Sequence, residues 1–274
     1  MMPHALWLSA LLCAALLTGL PRPAQAQAAG EQDASGLRLL EASAGAHRLS
    51  AGLPDWREAQ LRGVYQQGDH FWSGELLLAE RFGEGGTYVA LQDRIRVAPR
   101  WDLALGYGLG DGATWLPRDR VDGFAHHTWG AHGNLVSHFG LGYYRAPSTN
   151  YDRWGSLGLS AYLQPWLGGP WVLQGEVRWT RSNPGAVDTR QQMLALSWGH
   201  AGQTVVTLRH GWGREGWQSL GDAVFITNFA SRQNTLTLRH WLGPDWGLRL
   251  VADDYRNDQY QRQGLTLGFF RQWP

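Results

Sequence analysis

The segment WVLQGEVRWTR, residues 171–181, alternates strictly between two kinds of position. One face is apolar or glycine and carries Trp171, Leu173, Gly175, Val177 and Trp179. The other face includes an amide, an acid and a base, at Gln174, Glu176 and Arg178. Because successive side chains of a β-strand point to opposite faces, the segment predicts a strand that separates an apolar medium from an aqueous one.

The length of this strand fits a lipid bilayer. From Trp171 to Trp179 the chain rises roughly 26 Å at ~3.3 Å per residue, or about 20 Å when the strand is tilted by ~40°. The apolar band of a barrel wall is about 25 Å tall, and an amphipathic indole is favoured at each interface. Every strand edge must be paired inside a bilayer, so such strands predict a closed barrel with lipid outside and water inside.

The same two-residue period recurs along the chain and is broken by turn residues. We predict an all-β, up-and-down antiparallel transmembrane β-barrel of about fourteen strands, with twelve or sixteen as alternatives. The strands are placed near residues 37–50, 56–66, 71–82, 87–97, 100–110, 120–132, 134–146, 151–164, 171–182, 190–201, 203–213, 229–242, 246–256 and 260–273.

The connections alternate between tight turns and longer joins. Tight turns are predicted at 98–99, 132–134, 201–203 and 243–245, and longer joins begin at Asp111, Pro147, Asn183 and Glu215. Short turns at one end and longer loops at the other are typical of outer-membrane barrels. With the amino terminus in the periplasm and an even strand number, the longer joins lie outside the cell.

Strand length argues against a soluble alternative. A secreted β-sandwich also alternates, but its strands are usually about five or six residues long, whereas these are longer and several have tryptophan at their ends. The formal net charge is +1, so no overall field indicates nucleic acid as a partner. A mean hydropathy of −0.34 is compatible with a barrel, because the inward wall residues face water.

Residues 1–26 predict a cleavable export signal. An apolar run covers residues 6–20, and Ala24-Gln25-Ala26 matches the small-x-small cleavage rule. The lone cysteine, Cys13, lies inside the signal, so the mature chain has no disulfide, thiol nucleophile or thiolate metal site. Residues 27–274 are interpreted as one barrel domain in the outer membrane.

The residue pattern assigns no metal, cofactor or catalytic site. His126 and His127 point to opposite faces of a predicted strand, so they do not converge on a metal with His132 and His138. A lipid-modifying barrel needs a serine or histidine at the lipid-facing rim and a group that orients the base. Candidates are Ser137, His138, Ser160, Ser197 and His200, and no spacing singles out a set.

Polar residues that face the barrel interior form a better supported site. The inward positions include Gln92, Arg94, Arg96, Tyr162, Gln164, Gln174, Glu176, Arg178, Arg239 and Arg249, with Glu75 and Asp253 as further acids. The pore-lining candidates are Arg94, Arg96, Gln174, Glu176, Arg178 and Arg239. Two interpretations stay open: paired charges that only fill a narrow pore, or a polar track for a sugar chain with aromatic stacking platforms. Trp101, Trp171, Trp179 and Trp273 are predicted to form the interfacial girdle.

Several short motifs follow one another in the first half of the mature chain. They are GLPDW at 52–56, Glu80-Arg81-Phe82-Gly83, P-x-W at 99–101, Trp115-Leu116-Pro117 and GYYRA at 142–146. With the repeated hairpins, their order resembles the YaiO family of outer-membrane β-barrels. The resemblance covers most of the mature chain, from about Ser43 onward. It implies a barrel without catalytic residues and an association with surface polysaccharide export.

Glu80 and Arg81 are the polar pair that this resemblance matches. Adjacent strand residues point to opposite faces, so one of the two should enter the lumen. The other should lie near a rim, because a charge that faces lipid at mid-membrane costs about 2–4 kcal/mol.

Together these features predict a non-enzymatic barrel, either a narrow pore or an envelope component linked to surface polysaccharide export. Its expected partners are outer-membrane lipids, the barrel-assembly machinery and a polysaccharide or periplasmic export partner, with no nucleic acid. One alternative is a receptor or adhesin that acts through a loop at 215–228 and exposes Val224, Phe225 and Ile226. The other alternative is a lipid-modifying enzyme at the membrane rim.

Overall fold

The computed structural model describes residues 36–147, 150–166, 169–220 and 225–273. These residues form fourteen antiparallel strands. The strands are β1 (Gly36–Leu49), β2 (Trp56–Gln67), β3 (His70–Arg81), β4 (Glu84–Ala98), β5 (Trp101–Gly110), β6 (Asp119–Trp129), β7 (Leu135–Arg145), β8 (Tyr151–Trp166), β9 (Gly169–Asn183), β10 (Val187–Gly199), β11 (Thr204–Ser219), β12 (Phe225–Trp241), β13 (Trp246–Asn257) and β14 (Gln261–Gln272).

Each strand pairs with its neighbours in the chain, and β1 pairs with β14, so the sheet closes into a barrel. The closing register runs from Leu39 opposite Gln272 to Leu49 opposite Arg262. Closure pairs both edges of every described strand, as a bilayer requires. The predicted fourteen-stranded up-and-down barrel is confirmed, and most predicted strand ends lie within three residues of the observed ones.

The predicted loop at 215–228 is wrong, because most of it is strand. β11 continues to Ser219 and β12 already begins at Phe225. Trp217 lies opposite Thr227 in this extended hairpin. Only the residues between these two strands connect them, so the hairpin offers no long loop to a partner.

The alternation of polar and apolar residues did not predict this hairpin, because polar residues are buried on both of its faces. Glu215 and Gln218 are both buried although they are polar and three residues apart. Ile226, expected to be exposed, packs against a buried cluster that includes Leu220. Val224 lies outside the described residues.

The two ends of the barrel are distinguished by the connections that they carry. β1 begins and β14 ends at one end, where connections such as 68–69 and 99–100 span two to five residues. At the other end the connections span two to eight residues, the longest being 111–118. Outer-membrane barrels have the shorter turns in the periplasm, so we name the first end periplasmic and the second extracellular. The difference in length is smaller than the sequence predicted.

The outer face of the barrel is the apolar face of each strand. On β5, the outward positions are Trp101, Leu103, Leu105, Tyr107 and Leu109, all of them exposed in the isolated chain. Ala104, between two of these residues, is buried. The alternation read from the sequence therefore separates the lipid-facing surface from the interior.

Glycine makes room for large rings on the inner face. A Cβ atom at Gly142 would overlap the indole of Trp154, and one at Gly264 would overlap the imidazole of His47. At each position the absence of a side chain therefore leaves room for a ring carried by the adjacent strand. This close approach accounts for two of the 36 glycines.

In the described part of the chain, no helix has the length and apolarity needed to cross a membrane. The predicted export signal at 1–26, with Cys13, lies outside the described residues, so the signal stays a prediction. The structure likewise does not describe the side chain of Gln164.

We expect Leu105→Arg, at the middle of β5, to destabilise the membrane-inserted barrel by about 2–4 kcal/mol, because an arginine there faces hydrocarbon. Leu109→Arg, two outward positions nearer the extracellular end, is the control and should cost about 0–1 kcal/mol. Equilibrium unfolding of the lipid-inserted protein in guanidinium chloride measures both changes. Equal costs at the two positions would contradict this assignment of the membrane-facing surface.

Candidate functional site

Motifs that are far apart in the sequence meet at the extracellular end of the lumen. Trp56 begins β2, Arg81 ends β3, and Trp115 belongs to the connection between β5 and β6. The Arg81 guanidinium carbon lies 4.7 Å from the ring centre of Trp56 and 4.7 Å from that of Trp115. Arg262 of β14 lies 4.4 Å from the Trp56 ring. We name these residues and Phe82 the mouth cluster, in which cation–π contacts stabilise two buried arginines.

A chain of alternating charges runs behind the mouth cluster. Arg81 donates to Glu58 at 3.2 Å, and Arg262 donates to Asp253 at 3.4 Å. His47 lies between the two carboxylates, 3.4 Å from Glu58 and 3.0 Å from Asp253. Each buried charge therefore has an opposite partner, which reduces the cost of removing it from water.

The turn between β3 and β4 brings Phe82 over the rim into the cluster. Phe82 and Gly83 have φ angles of 55° and 82°, as a two-residue type I′ turn requires. A positive φ is unfavourable for a bulky residue, and packing compensates for it here. The Phe82 ring lies edge-on to Trp56 at 5.0 Å and is 6.2 Å from Tyr260.

The connection 111–118 folds into the lumen and holds Trp115 in place. Trp115 and Leu116 are only 2% and 3% exposed. The Trp115 indole donates to the backbone oxygen of Glu84 at 3.0 Å. The Thr114 amide donates to the Glu84 carboxylate at 2.9 Å, and the Thr114 hydroxyl donates to the same group. Glu84 therefore fastens the connection to β4.

The opposite wall of the barrel reaches the same region. Trp217 on β11 packs against the apolar cluster that contains Trp115, although β11 and β3 are six strands apart around the sheet. Leu220 packs with the mouth cluster. The Gln218 amide donates to the hydroxyl of Tyr260, whose pKa burial raises to about 12. Side chains from both walls therefore fill the extracellular half of the lumen.

Paired charges occupy the middle of the lumen. Glu176 accepts from Arg178 at 3.0 Å and lies 3.0 Å from the His138 imidazole. The guanidinium of Arg178 lies 4.4 Å from the ring centre of Trp154. These four side chains repeat the arginine–carboxylate–aromatic arrangement of the mouth cluster.

A cavity of about 30 Å³ lies beside these pairs. Its polar lining includes Glu75, Gln92, Arg120 and Asp122, and the last two pair at 2.5 Å. A polar cavity of this volume has room for ordered water.

The periplasmic half of the lumen has two kinds of lining. On one side, Glu41 accepts from Arg239 and, at 2.9 Å, from Arg249, and Arg239 lies 4.3 Å from the Phe270 ring. These residues lie on β1, β12, β13 and β14 and are buried or partly buried.

The other side of the periplasmic half is more accessible. Arg94 and Arg96 share Asp102, at 2.5 and 3.6 Å, and the side chains of both arginines are about one third exposed. Gln174 donates to Ser160 at 3.2 Å. All six pore-lining candidates thus lie on the inner face and are held by polar partners. Their role in conduction stays a prediction.

The family-motif residues occupy both faces of the wall. Arg81 is buried on the inner face, whereas Glu80 is exposed on the outer face, one residue before the end of β3. Gly83 lies in the turn, and Leu116 and Pro117 are buried with the in-folded connection. This placement puts the outward charge at the extracellular rim.

The four girdle tryptophans lie near the ends of their strands. Trp101 and Trp179 are 46% and 45% exposed on the outer face. Trp171 is partly covered, with its ring 6.1 Å from that of Trp198. Trp273 follows β14 and lies 5.1 Å from the Arg271 guanidinium.

The histidines of the β6–β7 hairpin separate as their spacing predicts. His126 is buried on the inner face, 5.8 Å from His138, whereas His127 contacts Trp101 on the outer face at 4.4 Å. Among the described residues, no group of three or more histidine, cysteine or acidic side chains is placed to hold a metal.

Sequence reasoning missed several polar residues of the lumen, including Glu41, His47, Glu58 and Arg262. Alternation along β1, β2 and β14 could have placed them on the inner face. Their partners lie up to 208 residues away in the chain, so the pairing itself depends on barrel closure.

A model of the YaiO membrane beta barrel domain matches residues 38–218. Among solved structures, the outer membrane protein Omp33 of Acinetobacter baumannii matches with a TM-score of 0.51 and 9% identity, covering 87% of this chain and 99% of Omp33. OmpT of Vibrio cholerae matches with a TM-score of 0.49, 8% identity and coverage of 88% and 98%. An anion-selective porin from Comamonas acidovorans matches with a TM-score of 0.45 and 11% identity, covering 88% of this chain and 100% of the porin. The likeness to Omp33 shows a shared barrel fold. No curated protein matches the sequence.

We expect Gly86→Val to release the connection 111–118. A Cβ atom at Gly86 would lie 2.7–2.9 Å from side-chain atoms of Ala113, Leu116 and Trp115, so the connection must move. Trypsin should then cleave after Arg118 faster than in the unaltered protein. Gly85→Val is the matched control, because its Cβ would meet nothing within 4 Å. Equal cleavage of the two folded variants would contradict the in-folded position.

Proposed function

The chain belongs to the YaiO membrane β-barrel family, and from that premise we propose that it is a non-enzymatic narrow pore of the outer membrane, closed in the conformation described here. The observation that carries the proposal is the in-folded connection 111–118, which lies across the extracellular half of the lumen with Trp115 buried. Beneath it the inner face continues as a polar track from the mouth cluster to the more accessible side of the periplasmic half, around Arg94 and Asp102.

The connection that closes the lumen can move without disrupting the barrel. The connection is fastened by hydrogen bonds of Thr114 and Trp115 to Glu84 and by the contact of Trp115 with Arg81. It contributes no strand to the barrel, so moving it would leave the fourteen-stranded ladder intact. Opening would therefore be a local unfolding of this connection while the strands stay paired.

The chemistry of the track suits a sugar chain. Aromatic faces stack on the apolar faces of sugar rings, and guanidinium groups donate in a fixed fork to hydroxyl or carboxylate oxygens. Both occur together at Arg81 with Trp56 and at Arg178 with Trp154. This pairing, and the association with surface polysaccharide export that the family resemblance implies, support a polysaccharide as the transported polymer.

The candidate serines favour a structural role over a catalytic one. The Ser137 hydroxyl accepts from the Trp129 indole at 2.8 Å, and Ser197 bonds to Thr207 at 2.8 Å. Ser160 accepts from Gln174. None of these three partners is the histidine that an activated serine would need.

Short external connections likewise disfavour an adhesin. The longest of them, 111–118, folds inward, and the others span at most six residues. A receptor that binds through loops needs exposed chain beyond the rim, which these connections provide only sparingly.

In planar bilayers we expect the unaltered protein to show little conductance and Trp115→Ala to show frequent open events, because the buried anchor of the connection is removed. Trp101→Ala, the same change on the lipid-facing surface, is the control and should stay closed. Heat-modifiable migration in gels checks that both variants are folded. A folded Trp115→Ala barrel that remains silent would overturn the pore proposal.

The sugar-chain part of the proposal has its own test. Anionic oligosaccharides added to open Trp115→Ala channels should block the current, and the block should weaken when Arg178→Gln is combined with this change. A channel that opens but ignores oligosaccharides would refute the polysaccharide and leave the pore standing.

A further inference from the structure

Six arginines form a band around one side of the barrel at its extracellular end. One outward arginine is carried by each of the consecutive strands β8 to β13. They are Arg153, Arg181, Arg190, Arg214, Arg232 and Arg256, and we name them the arginine band. Five are exposed, and the sixth, Arg256, has a side chain that is 40% exposed. All of them lie on the outer face of the wall, so the band is separate from the lumen and from the proposed pore.

The strand registers place like charges directly opposite each other in this band. Arg153 is the cross-strand partner of Arg181, and Arg232 is the partner of Arg256. Arg190 and Arg214 flank the paired residues Gln191 and Gly213. Like charges in such positions destabilise a sheet. The arrangement therefore indicates an anion that bridges neighbouring guanidinium groups.

Carboxylates on the same face compensate only part of this charge. Asp188 lies 3.8 Å from Arg181, and Asp254 lies 3.0 Å from Arg256. Within the described part of the chain, no carboxylate lies within 4.0 Å of Arg190 or Arg232. Asp258 is exposed in the turn beyond β13. Six guanidinium groups thus face two carboxylates on the strands.

The opposite side of the same rim has a different character. Between β3 and β7 the outward charges include Glu80 and the pair formed by Arg145 and Asp119 at 2.5 Å. This side provides no run of one arginine per strand. Strands β1 and β2 carry two further outward arginines at this end, Arg48 and Arg57, and Arg57 is the cross-strand partner of Glu80.

The position of the arginine band along the barrel axis shows which medium surrounds it. On β8 and β9, Leu157 and Trp179 are exposed apolar residues on the same face, and Arg153 and Arg181 follow within four residues toward the extracellular end. On β10, Leu194 stands in the same relation to Arg190. The guanidinium groups lie at the boundary between the apolar band and water, where lipid headgroups lie.

We infer that the arginine band binds the phosphate groups of a phosphorylated glycolipid in the outer leaflet. Guanidinium groups bind phosphate in bidentate fashion, and one phosphate between two strands would convert a like-charge pair into two ion pairs. A lipid fits better than free phosphate, because the apolar wall directly below the band can receive acyl chains. A glycolipid with several phosphates would engage more than one arginine pair.

The test uses the full chain folded in detergent, with bisphosphorylated lipid A as the probe and native mass spectrometry as the readout. The unaltered protein should bind this lipid and should bind dephosphorylated lipid A far more weakly. The double variants R153Q/R181Q and R232Q/R256Q should each lose on the order of tenfold in affinity, the loss expected for charge-assisted hydrogen bonds. R100Q/R271Q is the control with the same charge change at the periplasmic end, and it should bind normally.

Thermal unfolding without lipid keeps the inference falsifiable if binding is hard to quantify. R153Q/R181Q should unfold at the same temperature as the unaltered protein or higher, because repulsion is removed, and lipid A should stabilise only proteins with an intact band. Equal binding of dephosphorylated lipid A would overturn the inference. So would equal stabilisation by inorganic phosphate alone or by phosphatidylglycerol vesicles, which would indicate a free-anion site or general attraction to anionic lipid. A barrel that conducts no ions would not change the outcome of this lipid-binding test, because the arginine band lies outside the lumen.

Discussion

Pairing of β1 with β14 is the constraint on which the rest of this structure depends. A bilayer offers no water to backbone amides, so an open sheet edge in hydrocarbon would leave a row of polar groups without partners. Once the sheet closes, each strand must present one face to lipid and one to the lumen. The exposed leucines of β5 and the buried charges of the lumen follow from this single requirement.

Closure also creates an interior that must be filled or left wet. In this barrel the extracellular half is filled by buried aromatic and apolar side chains together with paired charges. Buried arginines such as Arg81 and Arg178 each have a carboxylate and an aromatic ring as neighbours. An isolated buried charge is costly, whereas a charge with an ion-pair partner and a ring face is much less so. Glycines on adjacent strands leave the space that these rings need.

Charges in the lumen and charges on the outer face are balanced differently, because the first face the barrel interior and the second face the membrane. In the lumen, positive and negative groups are matched across strands, as the chain from Arg81 through His47 to Arg262 shows. On the outer face at the extracellular rim, Arg153 and Arg181 stand opposite each other. An inward surface that is closed to solvent must satisfy itself, whereas an outward surface can take its partner from the membrane.

The sequence by itself determined a barrel of about fourteen strands, the face of each regular strand and the inward position of residues such as Arg178 and Glu176, because lipid and water impose a period of two. The structure decided between fourteen strands and the alternatives of twelve or sixteen. The sequence did not reveal the hairpin of β11 and β12, where Glu215 and Gln218 are both buried. Only the tertiary structure brought Trp115 against Arg81 and turned the longest extracellular connection inward. The physical reason is that alternation is local, whereas contacts across a lumen depend on the register and closure of all fourteen strands.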